Sequence, residues 1–247
     1  MRQLLAAFIF FTRLPFGRLA AIPAEKFKRI IPYWPLTGWL TSGCSVFVLY
    51  VTSLLLPYGI ALLFAMIARL LLTGCLHEDG LADFFDGFGG GSSRERILAI
   101  MKDSHIGTYG VAGLLFYFAL FYALLSHLPL ELAGAAILAG DPFAKGVSSM
   151  IVNRLPYARS EEEAKSKAVY PKMSAGDCAI CILFASLPLI GLPAPRYLLA
   201  TLLPVISWCF LTWLMKKKIQ GYTGDCCGAL FLLCEIGFYL GVLLISR

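Results

Sequence analysis

Long apolar segments are the feature that most restricts how this 247-residue chain folds. Since 59% of the residues are hydrophobic and only 15% are charged, the chain has more apolar surface than one soluble core of this size can bury. Backbone groups inside lipid must satisfy their own hydrogen bonds, which favours helices. We therefore predict an all-α, polytopic membrane bundle, a single transmembrane domain over 1–247. About seven spans are expected, near 36–56, 58–76, 108–126, 130–152, 177–193, 197–215 and 228–245, together with a short interfacial or re-entrant helix before residue 12.

The basic residues are concentrated in four long polar segments, which contain 17 of the 21 lysines and arginines: 1–35, 77–107, 153–175 and 216–227. Cytoplasmic loops carry an excess of positive charge. We therefore expect a cell inner membrane protein whose N terminus and long loops are all cytoplasmic. This orientation also accounts for the net charge of +6, so the expected partner is the lipid bilayer and no nucleic acid is expected.

An acidic stretch, Gly74–Gly91, follows the second predicted span. In a helix, Asp79, Asp83 and Asp86 would share one face, where three carboxylates repel one another unless a cation lies between them. Mg²⁺ prefers a few carboxylates together with water and phosphate oxygens. We predict a magnesium site that acts on a phosphorylated substrate; the alternative is a solvated acidic loop. The predicted ligands are Glu78, Asp79, Asp83 and Asp86, and Gly89 and Gly90 are expected to let the backbone approach a phosphate.

Further polar side chains lie near this stretch. His77 has the chemistry of a general base or a substrate hydrogen bond, and the alternative is an ordinary interfacial histidine. Asp225 would be a helix N-cap or a further carboxylate on the same side of the membrane. Between the second and third predicted spans lie candidate contacts to phosphate, metal or hydroxyl groups, namely Lys102, Asp103, Ser104 and His105.

Four ionisable residues interrupt the apolar segments: Arg69, Asp141, Lys145 and Glu235. Charges at membrane depth usually pair with one another or face a polar cavity. Asp141 and Lys145 are four residues apart on one helix, and Arg69 is a candidate partner for Glu235. Internal pairing and a transport pathway are both consistent with these positions.

Several motifs, in order along most of the chain, resemble the cobalamin synthase family of adenosylcobinamide-GDP ribazoletransferases. The most specific run is Gly74–Gly91, with His77, Asp79-Gly80-Leu81-Ala82-Asp83 and Asp86-Gly87. Other matching runs are Phe11–Pro15, Pro32–Gly38, Arg94–Arg96, Met101–Ser104 with Ile106-Gly107, and Tyr222–Asp225 with Gly228. His105 and Lys145 stand where many members have arginine.

The resemblance implies a magnesium-dependent membrane enzyme for the last step of cobalamin nucleotide-loop assembly. Its substrates would be an activated corrinoid, adenosylcobinamide-GDP, and alpha-ribazole or its 5'-phosphate. Its products would be adenosylcobalamin, or its 5'-phosphate, and GMP. A ribose hydroxyl would attack the phosphorus linked to the corrinoid, a displacement that needs positioning and charge neutralisation. A homo-oligomer is left open.

Within this reaction, specific roles are expected for the residues already named. Asp79, Asp83 and Asp86 would hold Mg²⁺ across the diphosphate, completed by Asp103 or Asp225. His77 would orient or deprotonate the hydroxyl. Arg94 and Lys102 would bind the phosphate of GMP.

Two other functions remain alternatives. A phosphotransferase of the CDP-alcohol type also uses an aspartate-rich helix at the membrane surface, but it expects arginine after the alanine where this chain has Asp83. A transporter would instead depend on the four charges at membrane depth.

Overall fold

The computed structural model describes residues 2–159 and 169–247, so the middle of the predicted 153–175 loop lies outside the described residues. Within those ranges the chain is helical and contains no strand. Its helices are α1 (Arg2–Phe11), α2 (Ala24–Phe27), α3 (Trp34–Ser53), α4 (Tyr58–Thr73), α5 (Leu76–Gly90), α6 (Arg94–Lys102), α7 (Thr108–Ser126), α8 (Leu130–Ser149), α9 (Ile151–Arg154), α10 (Ala175–Ser186), α11 (Leu202–Ile219) and α12 (Gly224–Ser246), with short 3₁₀ turns at Phe16–Arg18, Ile31–Tyr33, Leu187–Gly191 and Pro195–Thr201.

The prediction of an all-helical polytopic membrane protein is confirmed. Among the described residues, five helical segments are long and apolar enough to cross a membrane, and a sixth span results if the bent pair α4–α5 counts as one. Four pack together in the order α4, α3, α8, α12, with α12 at the centre of contacts to α5, α7 and α11. The outward faces keep large apolar side chains exposed, as lipid contact requires.

Two of the predicted spans differ from the structure. The 177–193 segment is a 12-residue helix, α10, followed by a 3₁₀ turn at Pro188, because proline cannot donate the next helical hydrogen bond. The 58–76 segment ends as α4 at Thr73, after 16 residues. Alone, neither helix has the length that a span requires.

The chain bends by 91° between α4 and α5. Gly74 (φ 65°) and Cys75 (φ 58°) both adopt left-handed backbone conformations, which end α4 and redirect the chain. The Arg13 side chain packs where a β-carbon on Gly74 would lie, and the positive φ at this position favours glycine. The 77–107 segment, predicted as a long loop, is therefore two helices, α5 and α6, packed against the bundle.

The charges at membrane depth form two buried clusters. Arg69 binds both carboxylate oxygens of Glu235, at 2.6 and 2.8 Å, and also contacts Tyr117. Lys145 lies 2.6 Å from Asp141 and 2.8 Å from the Thr41 hydroxyl. Internal pairing is therefore confirmed for both predicted pairs. Every charge in these clusters has an opposite charge within hydrogen-bonding distance, as burial requires.

Candidate active site

The N-terminal ends of α5 and α12 cross at two glycines. A β-carbon on Gly80 would lie 2.9 Å from the backbone oxygen of Asp225, and one on Gly228 would lie 3.0 Å from the backbone oxygen of His77. Both helices therefore approach more closely than side chains would allow. The crossing brings the start of the acidic helix beside the late Gly-Asp motif.

A cavity of about 160 Å³ lies beside this crossing and is partly open to solvent. Its wall is mainly aromatic and apolar, with a few polar groups among them. The lining residues are Phe10, Phe11, Ile31, Trp34, Leu76, His77, Asp79, Tyr157, Arg159, Tyr170, Gly224, Asp225, Cys227 and Gly228.

Two carboxylates and one guanidinium, those of Asp79, Asp225 and Arg159, are the charged groups among the described residues that line the cavity. Asp79 is exposed, while Asp225 and Arg159 are half-buried. The N-cap of α12 is Thr223, whose hydroxyl accepts a hydrogen bond from the Cys226 amide at 3.3 Å. The Asp225 carboxylate therefore does not serve as the N-cap, and it lines the cavity instead.

His77 forms part of the aromatic wall. Its ring stacks on Phe11 and Trp34, with centroids 6.0 and 5.9 Å away, and meets the edge of Phe231 at 4.8 Å. Only 3% of the residue is exposed, and its Nε2 atom has no hydrogen-bond partner among the described residues. An unsatisfied buried nitrogen is costly, and this one belongs to a residue that lines the cavity.

Tyr157 lies on a short segment that is fixed to the chain just before α12. The Tyr222 amide donates to the Pro156 carbonyl at 3.0 Å, and the Ala158 amide donates to the Tyr222 carbonyl at 2.8 Å. Burial raises the pKa of Tyr157 to about 12, so its hydroxyl stays protonated at neutral pH and is a hydrogen-bond donor.

The comparisons with known proteins agree with these motifs. The family model described as cobalamin-5-phosphate synthase matches residues 3–243. The chain belongs to this family. A protein of Leptospira interrogans called adenosylcobinamide-GDP ribazoletransferase is 36% identical over 96% of this chain and 93% of its own length. A protein of the same name from Shewanella sp. strain W3-18-1 is 35% identical over 98% of this chain and 94% of its own length. No solved structure matches.

The cobalamin synthase motifs at His77, Asp79 and Asp225 meet at the cavity, as the sequence suggested. Asp83 is half-buried one turn further along α5 and is not among the lining residues. The bend at Gly74 and the two glycine contacts are what bring these motifs together.

The predicted four-acid metal site is not assembled. Glu78 is buried 3.6 Å from Arg69, and Asp86 accepts hydrogen bonds from the amides of Gly107 and Gly110 at 2.7 and 2.8 Å. Asp86 therefore caps the start of α7, where unpaired amides favour a carboxylate. Within residues 2–159 and 169–247, no three His, Cys, Asp or Glu side chains lie close enough to bind one metal.

The predicted phosphate contacts also differ. Gly89 lies in the last turn of α5, against the ring of Tyr109, and the exposed Gly90 lies near Ile100, so both belong to a helix rather than an open phosphate loop. Arg94 donates to two carbonyls, those of Ile219 at 3.0 Å and Ala158 at 2.7 Å. Its guanidinium thus fastens the Tyr157 segment to the end of α11.

The predicted group between α6 and α7 lies on the surface. Asp103, Ser104 and His105 are exposed and outside the cavity. The His105 ring lies 2.7 Å from the carboxylate of Asp103, and this hydrogen bond lowers the pKa of Asp103. Lys102 lines a separate open cavity beside α6.

Sequence reasoning missed Tyr157, Tyr170 and Arg159, because the 153–175 segment was interpreted only as a polar loop. The available signal was the combination of an arginine with two tyrosines in a segment otherwise rich in small and charged residues. Aromatic residues in a polar membrane loop often mark a binding surface.

Proposed function

We propose that this chain transfers the corrinoid phosphate of adenosylcobinamide-GDP to alpha-ribazole, or to its 5'-phosphate, and releases GMP. Family membership and the names of its relatives support this reaction. The observation that carries the proposal is the cavity that Asp79, Asp225 and Arg159 line together with aromatic side chains. The aromatic residues of such a site suit the flat base of one substrate, and its charged residues suit the phosphates of the other.

The aromatic wall is suited to the base of alpha-ribazole. Phe11, Trp34 and Tyr157 offer ring faces and edges, which attract flat aromatic ligands. Binding there would place the ribose toward Asp79, Asp225 and Arg159. His77 would then accept or donate a hydrogen bond at Nε2 and orient the attacking hydroxyl. Positioning of this kind is a main source of rate in phosphoryl transfer.

Magnesium dependence is part of the proposal, with a ligand set that differs from the expected one. Mg²⁺ is usually held by one or two carboxylates together with substrate phosphates and water, so a protein-only cluster of three ligands is unnecessary. Asp79 and Asp225 line the same cavity and fit this donor set, whereas Glu78 and Asp86 are bonded elsewhere. When bound, the ion would neutralise charge on the diphosphate.

We further propose that the chain lies in the cell inner membrane with the cavity on the cytoplasmic side. The distribution of lysine and arginine supports this orientation. The two substrates would then reach the site from the compartment where nucleotides are made. The charges that a transporter would need are paired inside the bundle, which weakens that alternative.

The test is release of GMP by the purified full-length protein in liposomes. The protein is mixed with magnesium, GDP-activated corrinoid and alpha-ribazole, and GMP is measured by chromatography. We expect GMP and the joined product in equal amounts, with neither formed when alpha-ribazole is left out. A protein that is folded but yields no product with either form of ribazole would contradict the proposed function.

A further inference from the structure

Arg159 lies on the border between two cavities. It lines the aromatic cavity, where the two acids are Asp79 and Asp225. It also lines a second, open cavity beside α6, whose other charged residues are Arg94, Lys102 and Glu95. Arg159 is the one residue that both cavities share. A ligand longer than one cavity would therefore pass this guanidinium.

The two cavities differ in charge. Among their lining residues, the aromatic cavity has two carboxylates and one guanidinium, while the cavity beside α6 has three cations and one carboxylate. The cations of the second cavity attract a phosphate directly, whereas the carboxylates of the first cavity accept one only with a metal ion between them. Arg159 is the cation that stands between them.

The position of Arg159 is fixed by the chain around it. Its Nη2 atom donates to the Leu98 carbonyl at 2.8 Å. The preceding residue, Ala158, is held from two sides, by the Tyr222 carbonyl and by the guanidinium of Arg94. Gly221 allows this close approach, since a β-carbon there would lie 2.6 Å from the Pro156 carbonyl. Several backbone contacts thus support the placement of one arginine.

A guanidinium has five N–H donors. Of the side-chain nitrogens of Arg159, only Nη2 makes a hydrogen bond to another of the described residues. Arginine binds phosphate through two parallel hydrogen bonds, which a lysine cannot reproduce. By contrast, Arg94 already donates to two carbonyls. The structure thus makes Arg159, and not Arg94, the better phosphate ligand at this border.

We propose that Arg159 is a substrate-binding residue that grips the nucleotide phosphate of the activated corrinoid. The nucleoside side of the diphosphate would extend into the basic cavity beside α6, and the attacking partner would occupy the aromatic cavity. This inference rests on the proposed function. It adds a two-compartment site in which one arginine separates the leaving nucleotide from the attacking group.

The test compares Arg159→Ala and Arg159→Lys with the wild-type protein, all full-length in liposomes. Arg96→Ala is the matched control, since Arg96 lies exposed on α6 and lines neither cavity. For Arg159→Ala, we expect KM for the GDP-activated corrinoid to rise about 10- to 100-fold, the usual effect of losing hydrogen bonds to a charged group. KM for alpha-ribazole should stay within about twofold. Arg159→Lys should recover part of the loss, because lysine keeps the positive charge but cannot make the two parallel hydrogen bonds.

Direct binding of GMP, measured by calorimetry, separates this inference from the proposed function. GMP should bind the wild-type and Arg96→Ala proteins equally and bind Arg159→Ala at least about tenfold more weakly, whether or not turnover is detected. If Arg159→Ala raised only KM for the ribazole 5'-phosphate, the arginine would bind the attacking partner. That result, or unchanged GMP affinity in folded Arg159→Ala or Arg159→Lys, would overturn the proposal.

Discussion

Charged residues are arranged differently in the middle of the bundle and at the cavity. Inside, Arg69 with Glu235 and Lys145 with Asp141 are buried, oppositely charged and in direct contact. At the cavity, Asp79 is exposed and Asp225 is half-buried, and both line the same space as acids. The difference separates oppositely charged pairs inside the bundle from acids that line a cavity.

The buried cluster also reaches toward the cavity. Glu78 is next to Asp79 in sequence, yet its carboxylate points to Arg69 at 3.6 Å. Arg69 thereby connects α4 and α12 to the start of α5, the helix that carries Asp79. Two neighbouring acids in one helix therefore have different tasks, one in the structure of the bundle and one in the cavity.

The largest expected effect is on folding. Arg69→Leu leaves the buried Glu235 without its cation, and breaking a buried pair in this way typically costs about 3–5 kcal/mol. Denaturant unfolding of the purified protein in micelles measures this loss. The double variant Arg69→Leu with Glu235→Leu removes both charges and should recover most of it. A single variant as stable as the wild type would show that the pair is not structural.

Asp79→Asn should affect activity without affecting folding. Removing one carboxylate from a site that neutralises a diphosphate is expected to slow GMP release by about 100-fold or more. The Tm should be unchanged, because Asp79 is exposed. Glu25→Gln, which changes an exposed acid on α2 that lines neither cavity, is the control for charge alone. Equal loss in both variants would point to a general electrostatic effect and not to a site.

Gly80→Ala tests the helix crossing that joins the two regions. The new β-carbon would lie 2.9 Å from the backbone of Asp225, and such overpacking costs about 1–3 kcal/mol. Stability and GMP release should fall together, since α5 and α12 must separate. Gly43→Ala is the control, because nothing lies within 4 Å of its β-carbon position. If both variants behaved alike, the close crossing would not matter.

The smallest effect is expected at Asp103. Asp103→Asn should leave GMP release within about twofold of the wild type, since the side chain is exposed and outside the cavity. The hydrogen bond from His105 lowers the pKa of Asp103, so any stability it contributes is present above the unfolded pKa and is lost on acidification. A large loss of turnover at neutral pH would support the expected role of Asp103 in completing the metal site.

Much of the architecture was predictable because the length of the apolar segments is read directly along the chain. The pairing of Asp141 with Lys145 follows from their spacing on one helix. The contacts that each acid of the Gly74–Gly91 stretch makes could not be predicted from the sequence, because they depend on the 91° bend after α4. That bend turns Glu78 toward Arg69 and places Asp86 at the start of α7.

The cavity itself combines segments that are far apart in sequence, so spacing alone does not reveal it. His77 and Asp225 meet through the contacts at Gly80 and Gly228, which no local pattern specifies. Arg159 lies at the cavity because the backbone just before it pairs with the chain before α12, through a β-bridge between Tyr157 and Tyr222. Motif resemblance pointed to residues that line the cavity, and tertiary packing decided which residues of each motif do so.

The most direct test is the position of the diphosphate in an experimental structure determined with the GDP-activated corrinoid and magnesium bound, in the absence of alpha-ribazole. The diphosphate should lie in the aromatic cavity, with Asp79 and Asp225 on one side of it and Arg159 on the other. A diphosphate bound at the exposed Asp103–His105 surface, with Asp79 and Asp225 facing only solvent, would contradict the assignment of this cavity as the active site.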